Sequence, residues 1–367
     1  MFDRRLAQNF DWIMLGLTLI LCMVGLTALF SAVTAGIPSP QQLLYYKQMI
    51  WFSAGIVVMV ICFLINYKVL ERWAHAIYAG SIFLLLCVMW FGRVIGGSKR
   101  WLVLGPVSLQ PSELAKVAVI IVLARYYSKV VNTRGLTLRE LIHPMILTAI
   151  PFLLIVRQPD LGTAMLLALI AVSMTVFVRI ERRSFIIILI SCVVTIPMVW
   201  FLLKGYQKQR ILTFLDPDRD PLGAGYHVIQ SKIAIGSGML TGKGFLQGTQ
   251  NALSFLPEQH TDFIFSVLSE EWGFIGSSGL LLMFLMFLVW GLTIAQRCRD
   301  PFGIILSVGV TAMIFWQVFV NIGMVMGLMP VVGVPLPFIS YGGSSALSMM
   351  ICVGLLLSVS MRRFMVQ

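Results

Sequence analysis

Lys204-Gly-Tyr-Gln-Lys-Gln-Arg210 opens a polar, glycine-rich stretch. It runs through Gly236-Ser-Gly-Met-Leu-Thr-Gly-Lys243 and closes on Glu258-Gln259-His260-Thr261-Asp262-Phe263. The rest of the chain is apolar almost throughout. One long polar segment set against a lipid-buried body, with several cations and a terminal carboxylate, marks where the chemistry lies. It also predicts a substrate reachable from the membrane and from water.

Outward from this stretch, the flanking sequence reads as membrane spans. The chain has 367 residues, 59% hydrophobic and 11% charged, with a mean hydropathy of +0.92. So little charge excludes a soluble domain of this size. A crossing helix needs ~20 apolar residues, and about ten runs approach that length. They are 12–33, 49–65, 74–91, 113–128, 142–156, 161–178, 184–203, 274–295, 303–328 and 338–360. The first is too long for a cleavable signal and lacks a small-residue cleavage site, so it is expected to stay as a helix. The fold class is an all-α polytopic membrane protein. Residues 1–367 form one integral membrane domain, with 204–261 as a large extracytoplasmic loop containing short interfacial helices.

Lys and Arg set the orientation. With the N-terminus inside, inner segments carry Arg4, Arg5, Lys68, Arg72, Arg125, Lys129, Arg182, Arg183, Arg362 and Arg363, among others. They outnumber the cations of the short outer loops, so both termini are expected in the cytoplasm. The net charge of +12 reflects this inner collar and gives no reason to expect nucleic acid. The six cysteines have no metal-type spacing and avoid the outer loops, so neither a disulfide nor a zinc site is expected. No internal repeat is evident, which counts against transporter folds built from inverted repeats.

Three outer segments hold the candidates: 92–111, 204–261 and the Pro/Gly-rich 329–343. The last cannot be regular helix, and at membrane depth such backbone must be buried in protein or line a wet cavity. Residues 226–235 predict a short interfacial helix with Tyr226, Ile229 and Ile233 on one face. The glycines from Gly236 to Gly248 predict a flexible or ligand-hugging loop. Asp216, Asp218 and Asp220 alternate like calcium ligands but lack the glycine and glutamate of such loops, so they read as a solvated turn.

Asp262 stands first among candidate site residues. As a helix-capping or first-turn acid it would be held ionised, the state a general base requires. Glu113 and Lys116, at i and i+3, can pair, and ionisable groups within spans usually face a cavity. His227 and His260 lack ligand spacing. Outer cations, among them Arg93, Arg100, Lys208, Arg210, Lys232 and Lys243, suggest an anionic ligand such as a pyrophosphate.

Several long motifs resemble the SEDS family (shape, elongation, division and sporulation), in its elongation branch. They are Gln110-Pro-Ser-Glu-Leu-Ala-Lys116, Gln158-Pro-Asp-Leu-Gly-Thr163, Asp220 to Gly238, Gly242-Lys-Gly244, Leu256 to Phe265 and Pro335 to Ser345. The resemblance implies a peptidoglycan glycosyltransferase of the bacterial inner membrane that polymerises lipid II during cell elongation and rod-shape maintenance. It implies a class B penicillin-binding protein as transpeptidase partner, Asp262 as catalytic aspartate, and Glu113 with Lys116 as a cavity pair. With Asp160, Arg210, Lys232 and Lys243, these make the candidate substrate-facing set.

The expected mechanism joins a glycan on undecaprenyl pyrophosphate to lipid II, both with tails among membrane lipids. Asp262 takes the acceptor proton and cations such as Lys116, Arg210 and Lys243 steady the leaving pyrophosphate. A divalent cation, Mg or Mn, could share that task, though the sequence fixes no site for it. The rival reading is a lipid-linked precursor flippase, which needs no base at the outer face. A structural scaffold for the transpeptidase would need no polar cleft.

Overall fold

A computed structural model of the chain describes residues 10–35, 42–95, 98–105, 107–130, 135–187, 224–253, 255 and 258–363, with isolated positions 201, 205, 208 and 212. Helices dominate. In chain order they are α1 (Trp12–Thr34), α2 (Gln42–Leu64), α3 (Tyr67–Phe91), α4 (Pro111–Val130), α5 (Leu138–Arg157) and α6 (Leu161–Phe177). After a gap come α7 (Ala224–Ser237), α8 (Thr249–Ala252), α9 (Ile264–Arg297), α10 (Pro301–Val325) and α11 (Gly343–Met361).

Among the described residues, α1, α2, α3, α5, α9, α10 and α11 are long and apolar enough to cross a membrane. The shorter α6 is also apolar. Helix α4 carries Glu113, Lys116, Arg125 and Lys129 and falls outside that class, yet an unbroken run from Ala115 to Ala124 is buried. It packs against α3, α5, α6, α10 and α11. Protein rather than lipid surrounds it, which is how a span tolerates charge. The seventh expected run begins as helix at 182–187, and most of its remainder lies outside the described residues. So do Arg210 and the turn 216–221.

Many large apolar side chains are left exposed on α2, α3 and α9, among them Ile50, Val57, Phe83, Leu282 and Val289, as lipid contact requires. Asp11 joins three helices. It caps α1 at Met14 N (3.1 Å) and accepts from Trp290 Nε1 (2.8 Å) on α9 and Ser360 Oγ (3.2 Å) on α11.

The segment after α3 forms a small antiparallel sheet of β1 (Arg93–Ile95), β2 (Ser98–Leu104) and β3 (Val107–Leu109), in the order β1-β2-β3. Leu102 faces Leu109 and Leu104 faces Val107. Gly105, with φ 64°, follows β2 at the turn into β3. This sheet departs from the all-helical expectation and sets Arg100 beside the N-terminus of α6.

Helix α9 differs from the expected span 274–295. It starts earlier, at Ile264, and breaks at Gly273, where φ is 63° and ψ is −160°. The glycine run beside it is packed rather than loose. Lys243 N and Gly244 N donate to the carbonyls of Glu270 and Glu271 (both 3.0 Å), while Phe274 N and Ile275 N donate to Met239 and Leu240 (2.8 and 3.1 Å). The groups orphaned by the break are thereby satisfied, as membrane depth demands. A Cβ at Gly242 (φ 80°) would collide with the Glu271 carbonyl. The glycines of this loop therefore permit backbone-to-backbone packing.

Helix α7 packs its small face, Val228, Ser231 and Ala234, inward against α9 and α10. Ser231 Oγ reaches Val325 O (2.6 Å) and Ser266 Oγ (2.7 Å). Ile233 on the opposite side is exposed. The segment 330–342 is irregular, and Val334, Leu336, Phe338 and Ile339 within it are buried, so its non-helical backbone lies inside protein.

A candidate active site around Asp262

The turn before α9 winds around one carbonyl. Thr261 N and Phe263 N both donate to Glu258 O (3.1 and 3.4 Å), and Thr261 Oγ1 donates to Glu258 Oε2 (3.0 Å). The three consecutive carbonyls from His260 to Asp262 are each tied to α10 or the loop after it. His260 O accepts from Tyr341 N (2.9 Å), Thr261 O from Ser340 Oγ (2.6 Å) and Asp262 O from Asn321 Nδ2 (3.0 Å). Asn321 Nδ2 also donates to Val334 O (2.7 Å). The backbone at Asp262 is thus held by side chains far away in sequence.

Asp262 is not a helix cap. Phe263 takes that position, with no side-chain cap. The Asp262 carboxylate makes no hydrogen bond among the described residues. It lies against Gly333 (φ 71°), where a Cβ would come within 3.3 Å of Oδ2. Burial is the main reason its pKa rises from 3.8 to about 6. The charge of Glu258 raises it further, Arg100 opposes, and Asp160 adds a smaller upward push. This carboxylate is unengaged, half-buried and titrates near neutrality, as a general base should. His227 and His260 have lowered pKa values, chiefly from burial and against the pull of Glu258, so both are neutral at pH 7.

Asp160 and Asp262 come together. Asp160 caps α6 at Thr163 N (3.2 Å), accepts from Gln110 Nε2 (3.0 Å), and faces Arg100 NH1 at 3.8 Å. Glu113 and Lys116 form the expected pair at 2.8 Å, and Ser348 Oγ donates to Glu113 (3.0 Å). Their side chains are 3% and 0% exposed. They sit in packed interior between α4 and α11 rather than on a cleft wall, because α4 is enclosed on all sides. Lys243 is also engaged. It bonds Glu270 (2.6 Å) and Thr249 (2.8 Å), answering a carboxylate buried at 0% exposure. Lys232 is exposed on the outward side of α7, with the end of its side chain against Gly327. Arg210 lies outside the described residues.

An open groove of about 330 Å³ lies elsewhere, lined by Thr241, Phe245, Glu271, Trp272, Ile275 and Gly276. Among the described residues no three His, Cys, Asp or Glu side chains converge as metal ligands.

Sequence reading missed the close roles of Arg100, Gln110 and Asn321. For Asn321 a signal existed, since it is a lone amide inside an apolar span. Arg100 was only one outer cation among many.

Comparisons with known proteins cover nearly the whole chain. The profile of the FtsW/RodA/SpoVE family, described as cell cycle protein, matches residues 8–364. Peptidoglycan glycosyltransferase MrdB of Escherichia coli (strain K12) is 45% identical over 85% of this chain and 84% of its own. Peptidoglycan glycosyltransferase RodA of Treponema pallidum is 32% identical over 98% and 99%. Among solved structures, a chain from a peptidoglycan synthase complex superposes with a TM-score of 0.82 at 32% identity, covering 97% of this chain and 98% of that one. Thermus thermophilus RodA gives 0.72 at 28% identity, covering 97% and 98%. Matched from near one end to the other, with relatives well above 30% identity, the chain belongs to the FtsW/RodA/SpoVE family.

Proposed function

We propose that Asp262 is the general base of a glycosyl transfer that polymerises lipid II into glycan strands during cell elongation. Peptidoglycan glycosyltransferase is the activity named for the relatives, and this chain is an enzyme of that class. The observation that carries the role of Asp262 is its unengaged carboxylate, poised near neutrality on a turn whose carbonyls are clamped in succession.

The acceptor sugar 4-hydroxyl attacks the anomeric carbon of the glycan on undecaprenyl pyrophosphate. A new C–O bond forms with inversion as the bond to the pyrophosphate oxygen breaks, and the electron pair leaves with the pyrophosphate. The hydroxyl proton passes to Asp262 and from there to water. In this reading Lys116 and Lys243 do not serve the leaving group, since Glu113 and Glu270 hold them. The protein is an integral membrane protein. The charge distribution supports cytoplasmic termini, with Asp262 at the outer leaflet. The synthase-complex relative supports a class B penicillin-binding protein as partner.

The test is lipid II polymerisation by purified Asp262→Asn, checked for folding and for partner co-purification. A loss of ~10²-fold or more is expected for removal of a general base. A folded variant polymerising near the wild-type rate removes Asp262 from the mechanism and favours the flippase reading.

A further inference from the structure

We infer that Arg100 is a positioning residue for this transfer: held by Asp160, its guanidinium keeps the Asp262 carboxylate ionised, so the two residues together set the pH at which the base works. The inference rests on the reading of Asp262 as the base.

The geometry is asymmetric. Asp160 is fixed on two sides besides the Arg100 contact. One oxygen caps α6 at Thr163 N, and the other accepts from Gln110 Nε2. Gln110 is itself anchored through its backbone N–H to Ser344 Oγ (2.9 Å). Arg100 is less committed. Its 3.8 Å approach to Asp160 is an ion pair too long for a hydrogen bond. Its Nε is buried and makes no hydrogen bond among the described residues. A guanidinium offers five N–H donors in a rigid fork, so this one acts as fixed positive charge with donors in hand.

That charge is shared with Asp262. The first turn of α6 packs at Gly162 under the Val332 carbonyl, and the next residue, Gly333, touches the Asp262 carboxylate. Asp160 and Asp262 therefore flank the same piece of backbone, with Arg100 acting on both. The other groups around Asp262 leave Arg100 as the only cation among the described residues that pulls on it. Glu258 on its own turn is anionic, His227 on α7 and His260 are neutral, and α10 with the 331–334 loop contributes the uncharged Asn321 and Gly333. Burial and two acidic neighbours favour a proton on Asp262, and Arg100 opposes all three. A purely structural Arg100 would stabilise the hairpin without moving that balance.

The experiment reads Asp262 twice. Carbodiimide labelling of its carboxyl across pH 5–9, quantified by mass spectrometry, follows protonation without any need for turnover. Lipid II polymerisation over the same range follows the acid limb of the rate. For wild type both midpoints are expected near 6. Arg100→Ala should raise them by about one pH unit, the lower end of the usual effect of a close opposite charge. Activity would then be weak at pH 6.5 and largely recovered by pH 8.5. Arg100→Lys should return the midpoints toward wild type, and it serves as the readout if the alanine variant does not fold. Asp160→Asn should move them the other way, downward, and opposite shifts are a pattern that loosened packing does not produce. Uniform loss across pH with an unmoved labelling midpoint overturns the inference. If Asp262→Asn stays active, the base reading fails on its own, while the labelling series still decides whether Arg100 controls Asp262.

Discussion

The side-chain amide of Asn321 donates to the backbone carbonyl of Asp262 at 3.0 Å, and the same nitrogen donates to Val334 O at 2.7 Å. One buried amide in α10 thus joins the turn bearing the candidate base to the Pro/Gly-rich segment that flanks its carboxylate. We predict that Asn321→Ala lowers stability by roughly 2–3 kcal/mol, the scale of leaving buried carbonyls without donors. Because the substrate-facing surface is otherwise intact, kcat for lipid II polymerisation should fall more than the apparent affinity. A variant with normal kcat and reduced affinity would mean that Asn321 does not position Asp262.

The break in α9 predicts a contrast between two glycines of the same segment. Gly242 has φ 80° and no room for a Cβ beside the Glu271 carbonyl, whereas Gly236 in α7 has nothing within 4 Å. We predict that Gly242→Ala costs on the order of 2–4 kcal/mol through strain and displaced backbone. Gly236→Ala should be neutral or stabilising by up to ~1 kcal/mol, since alanine is the better helix former. Thermal unfolding of both variants in detergent measures this. Equal effects would mean that the loop does not splice the helix.

The sequence made some of this visible and hid the rest for physical reasons. The apolar runs announced the spans, and Glu113 with Lys116 announced a charged helix that lipid would not tolerate. Such patterns are local. The start of α9 was obscured because helical sequence continues across Trp272-Gly273, and only the conformation of Gly273 divides the two halves. The glycine loop read as flexible because its need for small residues comes from backbone on another element. Asp262 was singled out by its position after the polar stretch. Its dependence on Arg100, Asp160 and Asn321 was not legible, since β2, the α6 cap and α10 meet only in the folded chain.

The Glu113–Lys116 pair predicts a non-additive cycle. Both side chains are buried, at 2.8 Å from each other, with Ser348 as a further donor to Glu113. Removing one partner strands a charge in the interior and should cost about 3–5 kcal/mol, as it does for other buried pairs. We predict that Lys116→Met or Glu113→Gln alone sharply reduces folded yield, and that the double variant recovers most of it. Additive losses in thermal stability would contradict a coupled pair.

Asp262 also predicts a pH-dependent cost of function. Its folded pKa of about 6 lies above its ordinary 3.8 because burial disfavours the charged form. The folded protein therefore binds the proton more tightly than the unfolded chain does. Between about pH 4 and 6 the folded state holds the greater share of protons, so stability falls as pH rises through that window. Above it the full penalty remains, on the order of 3 kcal/mol for a gap from 3.8 to about 6. Asparagine carries no charge to desolvate. We predict that Asp262→Asn is more stable than wild type at pH 7.5 by up to that amount, that the gain shrinks as the pH is lowered, and that it vanishes near pH 4. A series of Tm values for both proteins over this range is the measurement. Such a variant would be more stable and inactive, the expected signature of a carboxylate kept ionised for chemistry at the expense of the fold. An asparagine variant less stable at pH 7.5, or a Tm difference that does not change with pH, would show that the ionised carboxylate is not a strained element of this turn.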